Sequence, residues 1–112
     1  MTARAIQMAI EAAIKRDDHR AQRIGCAIVR KDGVIVAFAN MSDVKQNPRL
    51  HAEARCARKA TPESTAYVVR ILRDSSLALA KPCPYCQLRL RAHGVQTVVY
   101  SINGGTFERM SL

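Results

Sequence analysis

A chain of 112 residues with 18 Lys and Arg against 9 Asp and Glu, a net charge of +9, has room for one domain and a strongly basic surface. Hydrophobic residues make up 48% of it, with only five glycines and four prolines, which excludes disordered and low-complexity architectures. No apolar stretch is long enough to span a bilayer, and the N-terminus lacks the apolar block of a secretory signal, so a cytoplasmic setting is expected.

Thr2 is placed to cap a first helix over residues 3–18, whose apolar stripe is Ile6, Ala9, Ile10, Ala13 and Ile14. Residues 24–29 and 34–39 are rich in β-branched side chains and are joined at Lys31-Asp32-Gly33. Asp-Gly between two apolar runs is a strong hairpin signal. Residues 40–50 read as a polar loop closed by Asn47-Pro48, and a helix over 51–60 follows, stopped at Thr61-Pro62. A third strand spans 66–72, Asp74-Ser75-Ser76 turns the chain, and 77–81 leads to a cysteine pair. Pro84 suits the first turn of a helix that runs to His93, with Gly94 as its cap. A fourth strand over 95–102, a tight turn at Asn103-Gly104-Gly105 and a short fifth strand over 106–110 complete the chain. Alternating strands and helices imply an α/β fold, and the opening hairpin makes its sheet mixed. The expectation is one domain over 1–112, a three-layer α/β/α arrangement around a mixed five-stranded sheet.

Four cysteines without an export signal favour metal binding over disulfides, because two of them form Cys83-Pro84-Tyr85-Cys86 and a histidine stands upstream in His51-Ala52-Glu53. His51, Cys83 and Cys86 offer three ligands for Zn2+, which leaves the fourth position of a tetrahedral site for water. Cys83 and Cys86, three apart at a helix start, share one face, where the helix dipole favours thiolates. Glu53 discriminates between chemistries. A structural zinc site wants a closing fourth ligand, whereas hydrolytic deamination needs a carboxylate to move protons. On an ideal helix positions 51 and 53 point apart, so spacing alone does not bring them into one cavity.

His-x-Glu followed by Pro-Cys-x-x-Cys is the signature of zinc deaminases of cytosine and adenine, and the chain resembles the cytidine deaminase-like superfamily over nearly its whole length. Ile24-Gly25-Cys26-Ala27-Ile28-Val29 and the Asp32-Gly33 hairpin look like that family's first two strands. The resemblance implies that Glu53 is catalytic and that Asn40 contacts a substrate sugar. Ala52, Arg49 and Tyr85 join Asn40 as candidate substrate contacts, Arg49 for a phosphate and Tyr85 for a base; packing or solvation explains Tyr85 and Arg49 as well. Three residues between the last two strands permit a hairpin and nothing longer, which looks like the branch acting on free cytidine. His51 stands where many small cytidine deaminases carry cysteine, and Met41-Ser42 follow Asn40 where those enzymes place a carboxylate. Arginine-rich flanks suit a phosphate, so a nucleotide is favoured over a bare nucleoside.

The expected function is hydrolysis of the cytosine amino group in a nucleoside or nucleotide. Two alternatives stay open: a deaminase of bases within single-stranded nucleic acid or tRNA, favoured by the 13 arginines, and a zinc-binding module without catalysis. The resemblance and the small core also imply a homo-oligomer. Cys26 and Cys56 read as core side chains, His93 as a cation at a helix C-terminus, and His19 as a surface residue.

Overall fold

Apolar side chains buried on both faces of one sheet organise the chain. In the computed structural model, which describes residues 2–15, 23–39, 52–72 and 74–112, the elements run in the following order. Helix α1 (Thr2–Lys15) precedes the strands β1 (Arg23–Val29) and β2 (Ile35–Ala39). Helix α2 (Ala52–Ala57), β3 (Ser64–Ile71) and β4 (Leu77–Ala78) follow, then α3 (Pro84–Ala92), β5 (Val95–Ser101) and β6 (Phe107–Ser111). The strand order is β2-β1-β3-β5-β6, with β4 attached to β3 off this path.

β1 is antiparallel to both β2 and β3, β3 and β5 are parallel, and β6 returns antiparallel to β5. Parallel neighbours need a crossover, which α3 supplies between β3 and β5. The mixed sheet is as expected, but it has six strands and not five. The extra one, β4, pairs Leu77 with Ile71 and Ala78 with Arg70; two residues are too few to display the alternation by which a strand is read. The other boundaries that fall on described residues move by three residues at most; the expected end of the first helix at 16–18, the loop over 40–50 and the helix start at 51 lie outside the described residues.

Side chains alternate between the faces along each strand. Ile28, Val68, Val98 and Tyr100 join Ala52 and Cys56 of α2 and Leu90 of α3 in one buried cluster. Ala27, Tyr67, Val69 and Val99 meet Ala5, Ala9 and Ala13 of α1 in the other. Helices thus cover both faces, giving three layers. The buried row of α1 keeps Ala9 and Ala13 of the expected stripe fully enclosed, flanked by Ile6 and Ile10, but adds Ala5 and leaves Ile14 exposed. The cause is Gly25 on β1, where a Cβ would collide with the Ala9 carbonyl. Bare glycine lets the helix backbone approach so closely that only alanines fit beneath it.

Gly33 and Gly94 turn the chain with φ of 88° and 98°, the left-handed region that glycine enters freely. Gly33 closes the β1–β2 hairpin, where the Arg30 N–H donates to the Val34 carbonyl at 2.9 Å. Gly94 ends α3 as expected. No helix among the described residues is long and apolar enough to cross a membrane.

Candidate metal centre and active site

The segment entering α3 is held rigidly before it delivers its cysteines. The Ala80 N–H donates to the Ser101 carbonyl at 2.9 Å, and Ser101 Oγ donates to the Ala78 carbonyl at 2.7 Å. Gln87 Nε2 then reaches back to the Pro82 carbonyl at 2.8 Å. Cys83 is the N-cap of α3, in extended geometry, and Pro84 occupies its first turn. Proline is well tolerated there because the missing N–H would have had no partner in the helix. One turn on, Cys86 is fully buried, whereas Cys83 is partly exposed.

α2 lies beside α3 and brings Glu53 in its first turn, at 5% exposure. The backbone of Ala54 hydrogen-bonds the sulfur of Cys86. The Cys86 thiol is pushed well up by burial first, then by the charges of Glu53 and Cys83 and a hydrogen bond with Cys83; the Ala54 bond opposes them. At Cys86, burial and negative neighbours therefore outweigh the helix N-terminus, which alone would favour thiolate. Glu53 and Cys83 therefore both lie within electrostatic reach of Cys86.

His51, Asn40 and Arg49 lie outside the described residues. Among those described, no group of three His, Cys, Asp or Glu side chains could hold a metal ion; Cys83 and Cys86 form a pair, with Glu53 beside them. Two thiols at this spacing are donors of the kind that zinc takes. Burial and the neighbouring charges disfavour the Cys86 thiolate, and a dication bound to the sulfurs would reverse that balance. Ala52 is fully buried in the sheet-facing cluster, so its side chain is taken up by packing. Tyr85, between the two cysteines on α3, is half-buried. Cys26 and Cys56 are core residues, as expected. Cys56 Sγ donates to the Cys26 carbonyl at 2.8 Å, and the Cys26 thiol is raised by its hydrogen bond with Cys56 and then by burial.

Two residues near the site escaped the sequence reading. Ser101 ties β3, β4 and β5 together, since its Oγ also accepts the Arg70 N–H at 3.2 Å. A serine inside the run Val98-Val99-Tyr100-Ser101-Ile102 was the available signal, because a polar group in a core strand requires partners. Arg55 stands close in sequence to two other basic residues, Arg58 and Lys59. Those two are exposed, but Arg55 Nη1 donates to the Ala39 carbonyl and its guanidinium carbon lies 5.1 Å from the Phe38 ring centroid.

With this geometry in place, the class of protein is defined by a family match. Residues 1–102 match the family described as the cytidine and deoxycytidylate deaminase zinc-binding region, and the chain belongs to that family. Its fold is also similar to the crystal structure of a mutant cytidine deaminase from Mycobacterium tuberculosis. That match has a TM-score of 0.63 at 20% identity and covers 90% of this chain and 84% of the other. No curated protein matches the chain by sequence.

Proposed function

We propose that the chain is a zinc-dependent hydrolytic deaminase that converts the cytosine of a nucleoside or nucleotide to uracil and ammonia. One observation carries the reading: the Glu53 carboxylate is buried where α2 meets α3, close enough to Cys86 to act on its thiol. Burying a carboxylate is costly, and a site built only to brace the fold gains nothing from one beside its thiols.

His51, Cys83 and Cys86 would hold the metal. Zinc, when bound, supplies Lewis acidity that makes water a competent nucleophile near neutral pH. Glu53 takes a proton from the water as its oxygen adds to C4 of cytosine, and passes that proton to the ring nitrogen N3. It then moves the proton of the new C4 hydroxyl to the amino group, so that the C4–N bond breaks, C4=O forms and ammonia leaves. Cytosine plus water gives uracil plus ammonia, so no redox partner is needed. Asn40, the Ala52 backbone and Tyr85 are the proposed contacts to sugar and base, and Arg49 the contact to a phosphate. The enzyme is proposed to act in the cytoplasm as a homo-oligomer.

The test is ammonia release from zinc-loaded protein over cytidine, deoxycytidine, their mono- and triphosphates, adenosine and guanine. Turnover of a cytosine compound is expected, fastest with a phosphorylated one. Silence on every cytosine compound would overturn the reading. Activity on single-stranded DNA or RNA alone would then assign the basic charge to a polynucleotide, and binding to it would weaken steeply with salt.

A further inference from the structure

We propose that Arg70, on β3, recognises a phosphate of the substrate and so sets the preference for a nucleotide over a bare nucleoside. The inference deepens the deaminase reading above and rests on it. Side chains alternate along β3: Ala66 and Val68 face the cluster under α2 and α3, whereas Tyr67, Val69 and Ile71 face α1. Arg70 therefore lies on the side of Glu53 and the two cysteines. Its cross-strand partner on β1, Ile24, packs on that same side.

Arg70 also stands at the edge of the sheet where the site lies. β2 and β3 run the same way, both antiparallel to β1, and β5 is parallel to β3. α2 leads into the start of β3 and α3 into the start of β5, where the Ser64 N–H donates to the Gly94 carbonyl at 3.3 Å. The first turns of both helices, with Glu53, Cys83 and Cys86, consequently face the carboxyl ends of the strands, the edge at which open α/β sheets take their ligands. Arg70 is the next to last residue of β3. One step back on the same face is Val68, paired with Cys26. The Cys26 thiol is raised by its hydrogen bond with Cys56, by burial, and then by the charges of Cys56, Glu53 and Cys86. Two residues of strand, about 7 Å, thus separate Arg70 from a rung of the ladder within electrostatic reach of the site.

The Arg70 side chain is half-buried, and its Nε, out of water, has no hydrogen-bond partner among the described residues. Arginine does not shed its charge, so a donor withdrawn from water in this way costs free energy until an acceptor arrives. Among the described residues Arg30 and Arg89 also have a buried Nε without a partner. The fork of Arg30 already holds Asp32 at 3.0 Å, and Arg89 lies in the last turn of α3, at the opposite edge. The backbone of Arg70 is fixed, since its N–H donates to Ser101 Oγ at 3.2 Å. Just beyond it, Arg23 Nη2 donates to the Leu72 carbonyl at 2.6 Å. A planar fork on a rigid strand suits the oxygens of a phosphate.

The experiment compares kcat/KM for a cytosine nucleoside and its 5′-monophosphate in wild type, Arg70→Ala and Arg70→Lys, with zinc content measured alongside. The ratio of the two values is the readout, because a loss of folded or zinc-loaded protein lowers both and cancels. Arg70→Ala is expected to cut the preference for the monophosphate by about 10–100-fold, the worth of a hydrogen bond to a charged group. Arg70→Lys, which keeps a cationic donor but loses the planar fork, is expected to recover part of it. An unchanged ratio in Arg70→Ala overturns the proposal. So does a wild type that turns over the nucleoside and not its monophosphate. If wild type accepts the monophosphate alone, inhibition by ribose 5-phosphate replaces the ratio. Its inhibition constant should then rise about tenfold in Arg70→Ala; an unchanged constant, or no inhibition of wild type, overturns the proposal. Should Arg70→Ala fail to fold, Arg70→Gln keeps part of the aliphatic stem and is read in the same way. Wild-type protein inactive on all cytosine compounds would sink the deaminase reading together with this proposal, whereas every other negative outcome touches Arg70 alone.

Discussion

The two faces of the sheet are packed from different materials. Against α1 the contact is alanine on glycine and valine, with Ala5, Ala9 and Ala13 seated over Gly25, Ala27 and Val69. Against α2 and α3 the core holds three fully buried cysteines, Cys26, Cys56 and Cys86, with the Glu53 carboxylate among them. Aliphatic side chains would fill that second face at less cost, since a buried acid must be compensated. Among the described residues, the buried acid and thiols lie on the side of α2 and α3, while the opposite face is packed from small apolar side chains against α1. One side of the sheet reads as scaffold, and the other as the side of the proposed chemistry.

The largest expected effect tests the chemical face. Glu53→Gln preserves the shape of the side chain and removes its basicity. Turnover should fall by about 10²–10⁴-fold, the usual worth of a general acid–base group, with zinc stoichiometry and thermal midpoint retained. A variant that keeps full activity would mean that the carboxylate moves no proton. Gly25→Ala is the counterpart on the scaffold face. The added methyl meets the Ala9 carbonyl, a backbone atom that cannot swing aside, so α1 must lift from the sheet. Overpacking of this kind costs about 1–3 kcal/mol, to be read from urea unfolding, with the KM of the remaining folded protein unchanged. A neutral Gly25→Ala would show that α1 is held less closely than the structure has it.

The two faces were also unequally legible from sequence. The chemical face is marked in the sequence by residue type: His51, Glu53, Cys83 and Cys86, the proposed site residues, stand at the spacings of the family signature, and Pro84 and Gly94 mark the ends of the helix that carries two of them. The structure adds what spacing could not, that Glu53 and Cys86 come from different helices into one environment. On the scaffold face the expected stripe of Ile6, Ala9, Ile10, Ala13 and Ile14 contains two of the three enclosed alanines and the two flanking isoleucines, but it omits Ala5 and includes the exposed Ile14. The true contact is set by one glycine on a strand far along the chain, and such a long-range close approach leaves no periodic trace in the helix itself. Arg55 was passed over for a related reason. In a chain with 13 arginines, nothing local distinguishes the one that reaches a strand end from those that face water. β4 escaped through brevity alone.

A narrower comparison divides the cysteines of the chemical face. Cys56 bonds a backbone carbonyl and lies in the sheet-facing core, whereas Cys86 sits beside Cys83 and Glu53. Cys86→Ala should abolish stoichiometric zinc, measured by native mass spectrometry. Cys56→Ala should keep one zinc per chain and lose about 1 kcal/mol, an ordinary cost for a buried substitution. Loss of zinc from Cys56→Ala would extend the metal site further into the core than the division allows.

The smallest effect asks whether polar design on the chemical face reaches the last hairpin. Tyr100 contributes its ring to the cluster beneath α2 and α3, and pairs across the ladder with Glu108, whose Oε2 accepts its hydroxyl at 2.9 Å. That bond, followed by burial and the carboxylate charge, raises the phenol above its ordinary value of 10.0. The folded state then holds the phenolic proton more tightly than the unfolded chain does. The stabilisation is complete below the ordinary phenol value and is lost as pH rises through the folded one. Thermal midpoints of wild type and Tyr100→Phe, followed from about pH 8 to about pH 11, should therefore converge at the alkaline end, with wild type ahead at neutral pH. Parallel curves would show that the hydroxyl contributes nothing specific to folding. The polar element of this face would then be confined to the meeting point of α2 and α3, as expected of groups kept for chemistry and not for stability.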